Sequence, residues 1–228
     1  MAAPLHEIRF PGEGRDYREA RNELLLAELE LRRQVERVAA QRRSLPLGGE
    51  LKQDYVFDEI ADGGKRQTKF SDLFGKFDTL VVYNYMFSPR DGAAPCPMCT
   101  SMLDALDGEA KHVTERAALA VVPRAPVERV AKFAKSRGWR ELRLLSSSNN
   151  SFNADYHGEM PDGSQIPVLH SFVRRDGQIF HTWSSELLFA PAEPGQNSRH
   201  VDMIWPLWNL LDVTREGRGA GWFPKLNY

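Results

Sequence analysis

The sequence predicts an α/β fold with a long helical arm before it and a helical extension after it. Three observations carry this. Between Leu51 and about Phe189, short apolar runs alternate with amphipathic helical patterns. An uninterrupted helical pattern from Asp16 to Arg43 precedes that region. The only two cysteines of the 228 residues, Cys96 and Cys99, stand between an apolar run and a helical pattern. The boundaries read as an arm over 1–50, an α/β domain over 51–190 and an extension over 191–228.

The arm places Ala20, Leu24, Leu25, Ala27, Leu31, Val35 and Val38 on or near one stripe, with Glu and Arg elsewhere. No Gly or Pro interrupts it before Pro46, and Gly48-Gly49 marks the exit. So long a stripe must bury itself on something, either its own domain or a second subunit. The expectation taken here is a homodimer.

Tyr55-Val56-Phe57 reads as a short strand, and Lys69 to Lys76 as a short helical turn. Thr79 to Phe87 is rich in β-branched and aromatic residues and reads as a buried strand. A loop with Pro89, Gly92 and Pro95 follows, then Met98, Met102, Leu106, Ala110 and Val113 at helical spacing. Ala117 to Val122 is a second strand. Val127 to Arg137 is a helix ending at Gly138, with Lys135 and Arg137 in its last turn. Leu142 to Leu145 is a third strand, and 146–161 a polar loop. Val168 to Val173 and Gln178 to Trp183 form a hairpin about Asp176-Gly177. A Trp-rich helix spans about Val201 to Leu211.

Strand, loop, Cys-x-x-Cys, helix is a context for thiol–disulfide chemistry. Pro97 suits the first helical position, where a missing N–H costs nothing. Cys96 then falls at the N-cap, facing unpaired N–H groups that stabilise a thiolate. Cys99 follows one turn later on the same face. A zinc site would need a fourth ligand beyond Cys96, Cys99 and His112, and the next histidine is His157. His112 reads instead as a surface cation at a helix C-terminus. His170, His181 and His200 are candidates for proton transfer, although structural histidines fit the first two. Arg199, His200 and Asp202 could line a site. Asp107 and Glu109 read as solvated.

The net charge of −1 gives no reason to expect nucleic acid or an anionic membrane as a partner. No apolar run reaches membrane-spanning length. Met1 to Pro11 lacks the pattern of a secretory signal. Two cysteines so close cannot staple a fold. The expected setting is cytoplasmic and reducing, and no metal or organic cofactor is implied.

The residues resemble the thioredoxin superfamily. Leu73-x-Gly75-Lys76 resembles the entry to redoxin folds, and Ile166-Pro167 before a strand ending in Asp176-Gly177 resembles the cis-proline strand of thioredoxins. Nearly the whole chain is similar to one family of thioredoxin-like proteins, catalogued as a domain of unknown function and expected to be dithiol–disulfide oxidoreductases. The segments Tyr83–Phe87, Pro95–Cys99, Arg137–Arg140, His181–Ser184, Arg199–Asp202, Trp205–Trp208 and Gly217–Gly219 carry that similarity.

The resemblance implies a thioredoxin-like central mixed sheet with flanking helices. It implies that Cys96 attacks, Cys99 resolves, and Pro167 shapes the binding surface through a cis bond. Read from the residues alone, Pro167 is equally an ordinary trans proline opening a strand. The substrate would be a disulfide-containing protein or a small-molecule thiol. A peroxiredoxin-like peroxidase using Cys96 is the rival reading. There Pro89 has the right spacing, but Ala93 replaces the threonine that would polarise peroxide, and Leu169 stands where an arginine is expected. A non-catalytic dimeric binding protein on the same fold is the third.

Overall fold

A computed structural model describes residues 4–61, 63–191, 194, 202–219 and 221–228. Arg199 and His200 lie outside the described residues, as does the side chain of Asp202. The chain divides into two compact units, Met1–Pro46 and Leu47–Tyr228.

The first unit holds one helix, α1 (Arg15–Arg43), in register with the predicted arm. Its charged residues form pairs one turn apart, such as Arg15–Glu19 at 2.9 Å and Arg32–Glu36 at 3.3 Å. Such exposed pairs contribute only a few tenths of a kcal/mol each, about 0.3–0.5. Arg42 and Arg43 complement the dipole of the last turn. No second helix or strand is present among the described residues of this unit to cover the Leu/Val stripe.

The second unit is built on a four-stranded mixed sheet of β3 (Thr79–Tyr83), β4 (Ala118–Val121), β6 (Leu169–Arg175) and β7 (Gln178–Ser184), in the order β4-β3-β6-β7. β3 and β4 are parallel, with Leu80 opposite Ala118 and Tyr83 opposite Val121. The crossover between them is α2 (Pro97–Val113), the helix that begins at the cysteines. β6 runs antiparallel to β3, pairing Leu169 with Tyr83, and returns as β7. Asp176 and Gly177 have φ of 51° and 81°, the left-handed pair that a two-residue type I′ hairpin requires. A βαβ unit joined to an antiparallel hairpin is the thioredoxin-like arrangement that the sequence predicts.

A second sheet, ordered β2-β1-β5, contains β1 (Val56–Ala61), β2 (Gly64–Lys69) and β5 (Leu145–Ser146). The strand β2 escapes sequence reading because Gly-Lys-Arg-Gln-Thr-Lys has no apolar alternation, and only Thr68 is buried. It is an edge strand, where charged residues guard against further pairing. The helix α3 (Val127–Arg137) has the predicted bounds and stops at Gly138, whose φ of 79° is the left-handed cap.

Alternation along β3 divides the core. Val81 and Tyr83 face α2, in a cluster with Cys99, Met102, Leu106 and Trp208. Leu80 and Val82 face the opposite side, with Tyr55, Phe57, Phe70, Phe152 and Phe172. Each fully buried aromatic contributes on the order of 2–3 kcal/mol.

Three expectations change. The run 79–87 is a ladder strand only to Tyr83; beyond it the backbone bonds to loops, Asn84 N–H to the Val168 carbonyl at 2.8 Å and Cys96 N–H to the Met86 carbonyl at 2.9 Å. The strand expected at 142–145 shrinks to Leu145–Ser146. The reason is Asp107, whose carboxylate takes the N–H groups of Arg140, Glu141 and Leu142 at 2.9–3.1 Å, so they are not offered to a ladder. Asp107 is therefore an anchor rather than a solvated residue. The Trp-rich helix becomes a 3₁₀ turn at Asp202–Ile204 and a short helix over Pro206–Leu211, because Pro206 forces Trp205 out of helical geometry (φ −117°, ψ 85°).

Candidate active site

The polypeptide reaches Cys96 through a loop with no ladder of its own. Arg129 on α3 holds that loop. Its guanidinium donates to the carbonyls of Ser88 (3.3 Å), Arg90 (2.9 Å) and Ala93 (2.7 Å), and lies 4.9 Å over the Phe87 ring. Beneath, Tyr85, Phe87, Phe133 and Trp139 form a closed ring of edge-to-face contacts with centroids 5.7–6.1 Å apart. This ring packs α3 against the segment that leads to the cysteines.

Cys96 is the N-cap of α2, with extended backbone (φ −61°, ψ 123°), and Pro97 is the first helical residue. Both sulfurs are free thiols. Cys96 is half-buried, whereas Cys99 is 3% exposed. The Cys96 carbonyl accepts from the Thr100 N–H at 3.0 Å and from Thr100 Oγ1 at 2.8 Å. That spends the Thr100 proton, so the Tyr85 hydroxyl is the donor in the 2.7 Å contact between Tyr85 and Thr100. A three-member chain thus fixes the backbone of Cys96.

The two thiols titrate in opposite directions. A hydrogen bond from the Cys99 thiol is the largest influence drawing Cys96 down to about 6. Partial burial opposes it, and the N–H groups of Cys99 and Met98 assist it. Those N–H groups are the orphan donors of the first helical turn. Cys99 moves well upward, because its proton is held by Cys96, because it is buried, and because charge on Cys96 repels a second thiolate. The buried Tyr83 phenol hydrogen-bonds the Cys99 sulfur and partly offsets this rise.

The Ile166–Pro167 bond is trans, which corrects the cis expectation; no cis peptide occurs among the described residues. Trans is the lower-energy isomer, and no ladder N–H is needed from Pro167. The neighbours carry the pairing: Ile166 N–H donates to Gly158, and the Val168 carbonyl accepts from Asn84. Pro167 opens the strand whose first residue, Leu169, pairs with Tyr83, the phenol that touches Cys99. His112 lies in the last turn of α2, at the opposite end from Cys96. His170 is buried on β6 and His181 half-buried on β7, on the sheet face away from α2. Tyr83, Tyr85, Thr100 and Arg129 went unread as site residues. Thr100 carries a signal, one turn after Cys96; Arg129 carries none.

Residues 9–228 match the family described as "Bacterial protein of unknown function (DUF899)". The chain belongs to this family. No curated protein is similar enough to count as a relative. Among solved structures, a thioredoxin peroxidase I from Plasmodium yoelii is 17% identical over 73% of this chain and 91% of its own, with a TM-score of 0.47. A reduced 2-Cys peroxiredoxin from Plasmodium vivax is 17% identical over 73% and 96%, with a TM-score of 0.48. The exposed lipoprotein thioredoxin Etrx1 from Streptococcus pneumoniae is 13% identical over 68% and 99%, with a TM-score of 0.42. These likenesses are too distant to transfer a reaction to the family member described here. No described helix is long and apolar enough to cross a membrane.

Proposed function

We propose that this protein is a thiol–disulfide oxidoreductase. The observation that carries the reading is the placement of two free cysteines one helical turn apart at the start of α2, Cys96 half-buried at the N-cap and Cys99 buried, an arrangement that pushes their titrations in opposite directions. Near neutral pH, Cys96 is largely thiolate and attacks one sulfur of a substrate disulfide. The substrate S–S bond breaks, a mixed disulfide forms on Cys96, and the departing thiolate takes a proton from solvent. Bonding into the mixed disulfide removes the charge on Cys96 that held Cys99 protonated. Cys99 then loses its proton, with the Tyr83 phenol stabilising its thiolate, and attacks the Cys96 sulfur. The second substrate thiol leaves. The substrate has gained two electrons, and the protein holds a Cys96–Cys99 disulfide that an external thiol must reduce. Pro167, at the entry to β6, is the residue we propose shapes the substrate surface. The substrate class is a disulfide-bearing protein or small molecule, and the setting we propose is the reducing cytoplasm.

Reduction of insulin disulfides with dithiothreitol as electron source tests this. Wild type should accelerate it, Cys96→Ser should abolish the acceleration, and Cys99→Ser should accumulate a mixed disulfide on Cys96. Rapid hydrogen peroxide consumption lost in Cys96→Ser, without insulin reduction, would instead make the protein a peroxidase. Neither activity would leave a binding protein.

A further inference from the structure

On the sheet face opposite the cysteines, the described residues line an open cavity of about 730 Å³. We infer that this cavity is a binding site for an uncharged aromatic small molecule bearing one hydroxyl group, such as a phenol.

Its floor is a polar chain across β6 and β7. His170 Nδ1 is 2.6 Å from Ser184 Oγ, and His181 Nε2 is 2.8 Å from the same oxygen. His170 Nε2 faces the amide Nδ2 of buried Asn84 at 3.4 Å. With the amide oriented this way, Asn84 donates to His170 and His170 Nδ1–H donates to Ser184; the contact to His181 is then met either by Ser184 donating to it or by His181 Nε2–H donating to Ser184. Gly158 closes over the buried end: a Cβ there would fall 1.9 Å from Asn84 Nδ2. The chain is thus anchored at one end and open to the cavity at Ser184.

The donor count sets the ligand's polar group. A serine hydroxyl has one proton and two acceptor positions. One acceptor position takes the His170 N–H, and His181 takes either the proton or the second acceptor position. One hydrogen-bonding position on Ser184 is left for a ligand, and a hydroxyl, which both donates and accepts, answers either case.

The charges set the ligand's class. Burial draws the His170 and His181 imidazoles below their ordinary range, so these two are neutral at physiological pH; His157 is the third imidazole of the lining. No lysine or arginine among the described residues lines the cavity. Of its two carboxylates, Asp155 is occupied by Lys52, Tyr55 and Ser151, and Glu186 is exposed. An anion would meet two carboxylates and no guanidinium or ammonium group among the described lining residues. A cation would lose its hydration for a single exposed carboxylate. Tyr156, Met160, Val168 and Phe189 form apolar or aromatic walls, with the His157 ring edge-on to Phe189 at 6.1 Å, and suit a ring.

The test uses the full-length protein and 2-naphthol as probe, with binding followed by its fluorescence. Saturable 1:1 binding is expected. 2-Methoxynaphthalene, which lacks the donor, should bind about fivefold more weakly, the worth of one hydrogen bond. 2-Naphthoate and 2-naphthylmethylammonium should be at least as disfavoured. Ala190→Trp, which fills the rim, should weaken naphthol at least about tenfold, and Ser184→Ala should remove the preference for naphthol over its methyl ether. Circular dichroism establishes that each variant is folded. Cys96→Ser should bind as wild type does, so the outcome is independent of the redox reading. No saturable binding, binding unchanged in both Ala190→Trp and Ser184→Ala, or tighter binding of either charged probe would overturn the proposal.

Discussion

Arg129 Nη2 donates to the Ala93 carbonyl at 2.7 Å, three residues before Cys96. The contact joins α3 to the loop that delivers the N-cap cysteine. It also bears on the peroxidase reading: a guanidinium does stand beside this loop, with both terminal nitrogens donating to backbone carbonyls.

Arg129→Met keeps much of the stem and removes the forked donor. Several carbonyls then lose a charged partner, so stability should fall by about 2–3 kcal/mol. Hydrogen exchange in 88–95 should quicken more than in the sheet, and the Cys96 titration should move upward. A uniform exchange change with Cys96 unmoved would make Arg129 a general packing residue.

Alkylation of the reduced protein, resolved for each cysteine by mass spectrometry, should show Cys96 reacting with a midpoint near pH 6, as its titration requires. Cys99 should stay unlabelled across the neutral range. Labelling of Cys99 first, or at lower pH, would reverse the assigned roles.

His170 makes stability depend on pH. Burial first, then the charges of His181 and His157, draw it from 6.5 to about 3. Between those values the unfolded chain binds the extra proton, so stability is full above about 6.5 and is lost as the pH falls. From pH 6.5 to 4.5 the loss should be about 2–3 kcal/mol. His170→Gln should flatten that limb in urea titrations. An unchanged slope would show that His170 is not the group responsible.

Asp107→Ala strands three N–H groups and should cost about 2 kcal/mol, with Asp107→Asn losing roughly half as much because an acceptor oxygen remains. Thermal unfolding reads this directly. Loss in neither variant would restore Asp107 to a solvated role.

We propose that α1 joins two subunits. Its Leu/Val stripe has no partner element among the described residues of its own unit, and two-fold dimers are the commonest soluble assembly. Light scattering should give a dimer for the full chain, and a monomer or insoluble material for a chain beginning at Leu51. A full-length monomer at micromolar concentration refutes it.

What the sequence determined by itself was local. The pattern from Asp16 to Arg43, the helix ending at Gly138, the Asp176-Gly177 turn and the N-cap placement of Cys96 depend on periodicity, caps and φ preferences that act over a few residues. What only the tertiary structure decided depends on contacts between distant segments. Asp107 cut the strand at 142–145 because its carboxylate reaches 33 to 35 residues along the chain. Arg129 became the clamp of the cysteine loop from 36 residues away. Tyr83 came to touch Cys99 only because β3 lies under α2. His170, His181 and Ser184 became one chain because hairpin register aligns β6 with β7. No window of sequence holds such pairings, since the energy that selects them comes from burying whole faces together.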